Sequence, residues 1–332
     1  MDTKRMREKA AEVSALSGKP RVVIFADMIL CGFKYQAGYM DYALFEMYSK
    51  NRAQRKSILT RGKNNMYVSA LNDRKKAEIF DNKPEFLRVF SQYAKRDFLV
   101  LDAADPAGLE EFAKKHGGFV VKPPGGTHGD GIKRYGADEI SDYGKFCDKL
   151  AAGGQTLIEE LVIQHDSLAG IYAGAVNTIR TVTILKDGEV HVVTAMLRIG
   201  GSGSEVDNFN NGGMVVPVEV KTGKISLPAT DKAGNVYSVH PSSGAQIPGG
   251  SIPMWEECLE LVKRAAKVVP EVRYVGWDVA VTPDGPLLIE GNPFPGHDIY
   301  GLPPHTPDGI GILPDFEAVI PLGSLRNLKQ GR

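Results

Sequence analysis

The fold is decided by the stretch Gly276-Trp-Asp-Val-Ala-Val-Thr-Pro-Asp-Gly-Pro-Leu-Leu-Ile-Glu-Gly-Asn292, whose pattern is typical of a β-hairpin carrying negative charge. Apolar runs flank the turn Pro283-Asp284-Gly285, and Asp278 and Glu290 are equally distant from Asp284. A loop centred on Asp284 predicts that the two carboxylates face each other, with their Cβ atoms about 5 Å apart. Carboxylates this close repel each other unless a cation or a shared proton lies between them.

Asn292 follows Glu290 by two residues, so both side chains point to the same side of the strand. A small set of oxygen ligands from one hairpin suits Mg²⁺, which usually keeps water and substrate phosphates as its other ligands. Mn²⁺ is the alternative cation. Solvated charges on an exposed sheet face are the competing interpretation, and a second motif upstream favours the metal site.

That second motif is a glycine-rich loop after a short apolar strand, in Phe119-Val-Val-Lys-Pro-Pro-Gly-Gly-Thr-His-Gly-Asp-Gly131. The backbone N–H groups of such a loop can hold a phosphate, and Lys122 adds a point charge. The loop lacks the Gly-Lys-Ser/Thr ending of a Walker A motif, and a plain surface turn is the other interpretation. A phosphate loop combined with a distant metal hairpin favours a nucleotide site.

In the order and spacing of these motifs, the chain resembles the ATP-grasp superfamily, and within it the sugar-transfer associated ATP-grasp proteins related to glutamate-ligase-like enzymes. The resemblance extends over roughly residues 80 to 320. It implies a fold that mixes helices and sheets (α/β, here α+β), the ATP-grasp fold, in which two α+β subdomains grip ATP between them. The implied division is a largely helical accessory or acceptor region at 1–80, a subdomain with the phosphate loop at 81–155, and a subdomain with the adenine strand and metal hairpin at 156–325.

The resemblance also implies which residues bind ATP. Two lysines that grip the triphosphate correspond to Lys83 and Lys122. The strand Thr156-Leu-Ile-Glu-Glu-Leu-Val-Ile-Gln-His165 corresponds to the adenine side, with Glu159 as its carboxylate and Glu160 as the alternative. His165 or Asp166 corresponds to the ribose contact. The predicted nucleotide-binding set is Lys83, Lys122, Gly125, Gly126, Gly129, Gly131, Glu159, Glu160, Val162 and His165.

Three further residues correspond to the catalytic positions of the family. Arg180 matches an arginine that faces the transferred phosphate, and Arg198 and Asn208 match a segment that lines the phosphate and acceptor site. The sequence has no serine, cysteine or histidine in a recognisable nucleophile arrangement, so nothing in it indicates a covalent enzyme intermediate. The metal ligands implied by the resemblance are Asp278, Glu290 and Asn292.

The activity that the resemblance implies is an ATP-dependent carboxylate–amine ligase. A small-molecule carboxylate attacks the γ-phosphate of ATP to give an acylphosphate and ADP. An amine from an amino acid, a peptide or an amino sugar then displaces phosphate, in surface-polysaccharide or specialised metabolism. A kinase that phosphorylates a hydroxyl or carboxyl acceptor is the alternative, and a nucleotide-binding regulator without turnover is the third hypothesis.

Composition agrees with a cytoplasmic enzyme. Lys+Arg and Asp+Glu both number 40 in 332 residues, and this balance provides no overall field to attract nucleic acid or a membrane. The cysteines Cys31, Cys147 and Cys258 are widely separated, so a disulfide framework is not expected. The longest apolar run, Val22 to Cys31, is interrupted by Asp27 and too short to span a bilayer. A homodimer is compatible with the sequence, because an amphipathic helix face and a dimer surface have the same pattern.

Local patterns complete the expectations. Residues up to about 80 are helical in character, and the aromatic segment Phe33 to Tyr42 is interpreted as core packing, with a lid or acceptor surface as the alternative. Lys186-Asp187-Gly188-Glu189 predicts a hairpin turn, and Trp255 to Val269 predicts an amphipathic helix. His297 and Asp298 either approach the acceptor or lie in an exposed, proline-stiffened loop.

Overall fold

The computed structural model describes residues 3–101, 105–125 and 131–330. The helices are α1 (Thr3–Ser17), α2 (Arg21–Tyr35), α3 (Tyr39–Leu44), α4 (Arg52–Ser57), α5 (Arg61–Leu71), α6 (Arg74–Asp81), α7 (Lys83–Val89), α8 (Ser91–Ala94), α9 (Pro106–His116), α10 (Tyr143–Ala152), α11 (Asp166–Ala169), α12 (Trp255–Ala265), α13 (Leu313–Val319) and α14 (Leu325–Gln330). The strands are β1 (Phe98–Val100), β2 (Gly118–Lys122), β3 (Lys133–Gly136), β4 (Leu157–Glu160), β5 (Ile179–Lys186), β6 (Glu189–Ile199), β7 (Met214–Val218), β8 (Ala229–Asp231), β9 (Val236–Tyr237), β10 (Tyr274–Thr282) and β11 (Gly285–Asn292).

A seven-stranded antiparallel sheet, in the order β11-β10-β5-β6-β7-β8-β9, forms the larger part of the molecule. Strand β5 shows why its centre is buried on both faces. Ile179 and Leu185 belong to a core shared with α12, whereas Val182 and Ile184 belong to a core shared with the N-terminal helices. Since successive side chains of a strand point to opposite faces, β5 is buried nearly throughout and is fixed from both sides.

A second, four-stranded antiparallel sheet has the order β1-β4-β2-β3. Helices α9 and α10 cover it through a small core that includes Leu109, Phe119 and Leu150. Each of these helices begins after an aspartate, Asp105 or Asp142, whose side chain accepts a backbone N–H of the first turn. Strand β4 pairs within this sheet, so the sheet extends to residue 160, past the expected subdomain boundary at 155.

The prediction of an α+β chain with a helical N-terminal region is confirmed, since α1 to α6 all precede residue 82. The apolar run around Asp27 is part of α2, and no helix in the described residues is long and apolar enough to cross a membrane. In the aromatic segment, Tyr35 and Tyr42 are buried in the core, as expected, whereas Phe33 is 84% exposed. The three cysteines are buried and free, in agreement with the expected lack of a disulfide framework.

Two local predictions from sequence are also confirmed. Lys186 pairs with Glu189, and the turn residues Asp187 and Gly188 both have positive φ, as a type I′ turn requires. The amphipathic helix begins at Trp255, which is buried in the core together with Cys258. This helix ends at residue 265, earlier than the apolar pattern indicated, because the chain turns there towards β10.

Candidate active site

A cavity of about 920 Å³ is lined by residues of both sheets and of the N-terminal region. It brings together most of the residues that the sequence singled out. Lys83, Lys122, Glu159, Glu160, Val162, Arg180, Arg198, Asn208, Asp278, Glu290 and Asn292 all line it.

The remaining predicted residues are elsewhere. Gly125, Gly131 and His165 are described but are not among the residues that line this cavity. The backbone N–H of His165 donates to the carbonyl O of Val281 at 2.7 Å, and its ring caps the short helix α11. Gly126 and Gly129 belong to residues 126–130, which lie outside the described part of the chain.

The hairpin of β10 and β11 carries the acidic end of the cavity. Asp278 lies directly opposite Glu290, which confirms the predicted pairing of the two carboxylates. The turn differs from the expected one, because Thr282 pairs with Gly285 across a two-residue loop. A β-bulge beside Asp278 takes up the one-residue difference in register. The predicted centre of the turn was therefore wrong by half a residue, and the bulge keeps Asp278 opposite Glu290 despite this difference.

Two guanidinium groups neutralise Asp278, which is only 1% exposed. Nη2 of Arg180 donates to its Oδ2 at 2.9 Å, and Nη1 of Arg198 lies 3.0 Å from the same oxygen. Burial raises the pKa of Asp278, but the charges of the two arginines outweigh this effect and lower the pKa to about 2. Burial and the charge of Asp278 raise the pKa of Glu290 above its ordinary value. The Asp278–Glu290 pair thus contains one firmly ionised carboxylate and one that resists ionisation.

The chemistry of this donor set fits a divalent cation. Asp278, Glu290 and Asn292 provide two carboxylates and an amide, and Nδ2 of Asn292 lies 3.3 Å from Oε1 of Glu290. Hard oxygen donors of this kind are the ligands that Mg²⁺ prefers. Burial and, after it, the charge of Asp278 raise the pKa of Glu290, and a cation bound here would stabilise the ionised form of this carboxylate.

Arg198 is held by a residue that the sequence reading missed. Its Nη2 donates to Oδ1 of Asp207 at 2.7 Å, while Oδ2 of Asp207 accepts the backbone N–H of Thr178 at 2.9 Å. Next to it, the side chain of Asn208 accepts the backbone N–H of Asn210 at 2.9 Å. Asp207 therefore orients the guanidinium, and Asn208 shapes the turn that follows. Asp207 begins the stretch Asp207-Asn-Phe-Asn-Asn-Gly-Gly213, which contains the predicted Asn208, but nothing in this pattern distinguished the aspartate from its neighbours.

The opposite wall of the cavity is organised around Glu159, which is buried in β4. Its Oε1 lies 2.9 Å from Nζ of Lys122, and its Oε2 accepts Nε of Arg96 at 2.6 Å. Burial raises the pKa of Glu159, but these two cations lower it to about 2. Both oxygens of Glu159 are therefore occupied. Glu160 points to the other side of the strand, where it accepts the backbone N–H of Asp97 at 3.0 Å.

Arg96 joins the two sheets and was not predicted. Besides binding Glu159, it donates through Nη2 to the carbonyl O of Ile289 at 2.9 Å and through Nη1 to that of Leu288. Ile289 is the extra residue of the bulge, so its carbonyl is available outside the regular strand pairing. Arg96 thus connects the strand of Glu159 to the strand of Glu290. No motif surrounds it in the sequence, so no local pattern pointed to this role.

Lys83 lies between the phosphate loop and the hairpin. It begins α7, whose first turn is capped by the side chain of Asn82, and its Nζ lies 3.4 Å from the carbonyl O of Pro123. Burial lowers the pKa of Lys83, and the neighbouring Glu290 carboxylate acts in the opposite direction. The lysine before the first sheet and the acidic hairpin therefore face the same space.

The two candidate residues after the hairpin, His297 and Asp298, lie in different environments. His297 is 5% exposed, and its Nε2 lies 2.7 Å from Oδ1 of Asp41, so the interpretation of an exposed histidine is wrong. Asp298 lines the cavity. Arg61, at the start of α5, lines the cavity from the N-terminal region, a contribution that no sequence motif indicated.

A family model described as sugar-transfer associated ATP-grasp matches residues 62–306. No curated protein matches the chain. The solved structures that resemble it include the ATP-grasp ligase PsnB complexed with minimal precursor, which is 17% identical, with a TM-score of 0.44 over 76% of this chain and 64% of that chain. The chain thus corresponds to less than two thirds of the length of PsnB.

Two further structures are similar at the same level. D-alanyl-alanine synthetase A from Vibrio cholerae O1 biovar eltor str. N16961 is 14% identical, with a TM-score of 0.48 over 82% of this chain and 74% of that chain. D-alanine–D-alanine ligase from Bacillus anthracis is 14% identical, with a TM-score of 0.46 over 79% of this chain and 72% of that chain. Because the family model covers well over half of its length, the chain belongs to the sugar-transfer associated ATP-grasp family.

Proposed function

We propose that the protein is an ATP-dependent carboxylate–amine ligase. The observation that carries the proposal is that two sets of residues line one cavity. Cations that suit a triphosphate, Lys83 and Lys122, share it with the oxygen donors Asp278, Glu290 and Asn292. Membership of the ATP-grasp family supports a nucleotide in this cavity.

In the proposed complex, the two lysines bind the phosphates of ATP, and the glycine-rich loop covers them. Since both oxygens of Glu159 are bound to cations, we assign to Glu159 the positioning of Lys122. Because the Glu160 carboxylate accepts the N–H of Asp97 on the other side of the strand, we assign the adenine side to the backbone of residues 160–162, which also line the cavity. The glycines Gly125, Gly126, Gly129 and Gly131 stay a prediction for the phosphates, and His165 stays one for the ribose.

The proposed reaction has two steps. An oxygen of the substrate carboxylate attacks the γ-phosphorus, the bond from that phosphorus to the bridging oxygen of ADP breaks, and an acylphosphate forms. The nitrogen of the amine then attacks the acyl carbon, the C–O bond to phosphate breaks with its electron pair, and the nitrogen loses a proton. Both steps develop negative charge on phosphoryl oxygens, and positioning and charge neutralisation are what such transfers mainly need.

Arg180 and Arg198 supply that positive charge in the proposal. Their ion pairs with Asp278 hold both guanidiniums at the cavity wall, so they need little reorganisation when a phosphoryl group arrives. Asn208 lies where it can hold the acylphosphate, on the turn that Asp207 anchors. The residues that would hold Mg²⁺ are Asp278, Glu290 and Asn292, and the ion, when bound, offsets the negative charge of the phosphates.

Hydroxylamine trapping tests the proposal. The purified protein is incubated with Mg²⁺, ATP, hydroxylamine and a panel of carboxylic acids, and ADP and hydroxamate are measured together. A ligase gives ADP only with certain acids, and hydroxamate in equal amount. ADP release that depends on no carboxylate contradicts the proposal. A phosphorylated product that persists in the presence of hydroxylamine identifies a kinase instead.

A further inference from the structure

Residues 293–298, which follow the metal hairpin, alternate between two environments. Phe294, Gly296 and Asp298 line the cavity. The other three, Pro293, Pro295 and His297, are hydrogen-bonded to side chains of the N-terminal region. The segment consists of bends and irregular backbone, and the residues that line the cavity alternate with residues that are hydrogen-bonded to the N-terminal region. Residues 293–298 therefore form a fixed part of the cavity wall.

Three side chains of the N-terminal region hold this wall. Each is buried, and each bonds to a residue more than 200 positions away in the chain. Buried polar groups of this kind are costly to leave unpaired, so the contacts fix the geometry. They are Nδ2 of Asn72 to the carbonyl O of Pro293 at 2.6 Å, Nδ2 of Asn64 to the carbonyl O of Pro295 at 2.9 Å, and Oδ1 of Asp41 to Nε2 of His297 at 2.7 Å.

Arg61 is fixed by the same carboxylate that holds His297. Its backbone N–H donates to Oδ2 of Asp41 at 2.9 Å. Its guanidinium carbon lies 5.2 Å from the centroid of the Phe294 ring, a distance at which a guanidinium stacks favourably on an aromatic face. Arg61 and Phe294 thus form one platform, and both members line the cavity.

Three other arginines that line the cavity differ from Arg61, because each of them forms an ion pair with the protein. Arg96, Arg180 and Arg198 each bind a carboxylate of the protein. Within residues 3–101, 105–125 and 131–330, no carboxylate lies within ion-pair distance of Arg61. A planar guanidinium that stacks on a ring keeps its edge free for a two-pronged contact with a carboxylate.

We propose that Arg61 binds a carboxylate of the substrate that does not take part in the reaction, with Phe294 holding the guanidinium plane. The inference rests on the ligase function proposed above and narrows its substrate class. A spare carboxylate is present in an amino acid or a peptide and is lacking in a simple amino sugar. We assign this carboxylate to the acceptor, so that the N-terminal region recognises an amino acid or a peptide as the acceptor.

Isothermal titration calorimetry with the full chain tests this inference. The protein is first saturated with Mg²⁺ and AMPPNP, a non-hydrolysable analogue of ATP. It is then titrated with L-amino acids and dipeptides, each paired with its C-terminal amide, and with glucosamine and glucosamine 6-phosphate. We expect the wild type to bind at least one acid, and to bind the corresponding amide at least tenfold more weakly. The Arg61→Gln variant is expected to bind the acid more weakly than the wild type by a similar factor, because a charge-assisted hydrogen bond is lost.

The controls separate this role from a structural one. Arg52 is an exposed arginine that begins α4 as Arg61 begins α5, and it does not line the cavity, so Arg52→Gln is expected to bind the acid like the wild type. Arg61→Lys keeps the charge but not the planar fork and is expected to bind with intermediate affinity. The affinity for AMPPNP is expected to stay unchanged in all three variants.

Several outcomes overturn the inference. They are equal binding of acid and amide, equal binding of the acid by wild type and Arg61→Gln, a preference for glucosamine 6-phosphate, and binding of no compound of the panel. Failure to bind AMPPNP with Mg²⁺ contradicts the ligase function itself and is seen in the first titration. The two failures are therefore distinguishable.

Discussion

Arg180 lies directly opposite Asp278 in the pairing of β5 with β10, and its Nη2 donates to Oδ2 of the aspartate at 2.9 Å. Arg198 places a second guanidinium 3.0 Å from the same oxygen. The residue proposed to bind the cation is therefore also the residue that aims both arginines. The hairpin of β10 and β11 and the two arginines are therefore coupled through one carboxylate.

This coupling predicts the effect of Arg180→Lys. Lysine keeps the charge but cannot make the two-pronged contact with Asp278, so its ammonium group is no longer held in one orientation at the cavity wall. We expect kcat for ADP release to fall by about 10²–10³, the range for the loss of one aligned charge-stabilising donor. Arg264→Lys, on the exposed face of α12, is the matched control. An unchanged kcat in Arg180→Lys contradicts a role in charge stabilisation.

Arg96→Met tests the connection between the sheets. The substitution leaves Glu159 with Lys122 alone and removes the donors to the carbonyls of Leu288 and Ile289. Breaking a buried ion pair from one side typically costs about 3–5 kcal/mol, so the free energy of unfolding is expected to fall by that order.

Denaturant unfolding measures this loss, and a titration of ADP release with ATP is expected to show a raised KM for ATP. The exposed Arg88, in Arg88→Met, controls for the loss of charge and is expected to change neither quantity. A stable Arg96→Met protein with normal affinity for ATP contradicts the connecting role.

Gly291→Ala tests the packing between the two proposed metal ligands of β11. A Cβ at residue 291 would lie 2.8 Å from Cδ1 of Phe80 and 3.1 Å from Cε2 of Phe86, so a ring or the strand must move. We expect a loss of about 1–3 kcal/mol in the free energy of unfolding and weaker binding of Mg²⁺ with ATP, because Glu290 and Asn292 shift with the strand. Gly323→Ala, where a Cβ meets no atom within 4 Å, is the control.

His305 predicts a dependence of stability on pH. Its Nε2 lies 3.1 Å from the carbonyl O of Pro228, and burial lowers its pKa to about 4 from the ordinary 6.5. Between these values the unfolded chain binds more protons than the folded one, so stability is lost as the pH falls from 6.5 to 4. The loss attributable to this residue is about 3 kcal/mol at most.

Urea unfolding at pH 7, 5.5 and 4.5 measures this effect. His305→Gln keeps a donor for the carbonyl of Pro228 but does not titrate, so the difference from the wild type is expected to shrink towards pH 4.5. His191→Gln, on the partly exposed strand β6, is expected to follow the wild type at each pH. Parallel curves for wild type and His305→Gln contradict the assignment.

The hairpin shows how far the sequence predicts this site. The alternation of apolar and acidic residues predicted the pairing of Asp278 with Glu290, because the period of a strand decides which side chains share a face. The bulge beside them was not predictable. The carbonyl O of Ile289, the extra residue of the bulge, accepts a hydrogen bond from Nη2 of Arg96, a contact between positions 193 apart in the chain.

Helices were predicted where the sequence pattern is long, and residues that act alone were missed. Trp255 and Cys258 belong to a clear apolar stripe, and they are core residues of α12 as expected. Arg61 and Arg96 are single charged residues without a motif, and they contact Phe294 and Ile289, which are 233 and 193 positions away in the chain. The division after residue 155 stays a prediction, and the pairing of β4 with β1 leaves no signal in the sequence of β4 itself.

The bond between Asp41 and His297 bears on how new specificities arise in this protein. Residues 3–80 form a mostly helical module that precedes both sheets in the chain, but three of its buried side chains are hydrogen-bonded to the loop after the hairpin. A chimera that inherits a foreign N-terminal module and keeps its own loop loses these fastenings. Productive exchange therefore requires both segments to travel together, and in an alignment of relatives positions 41 and 297 should covary.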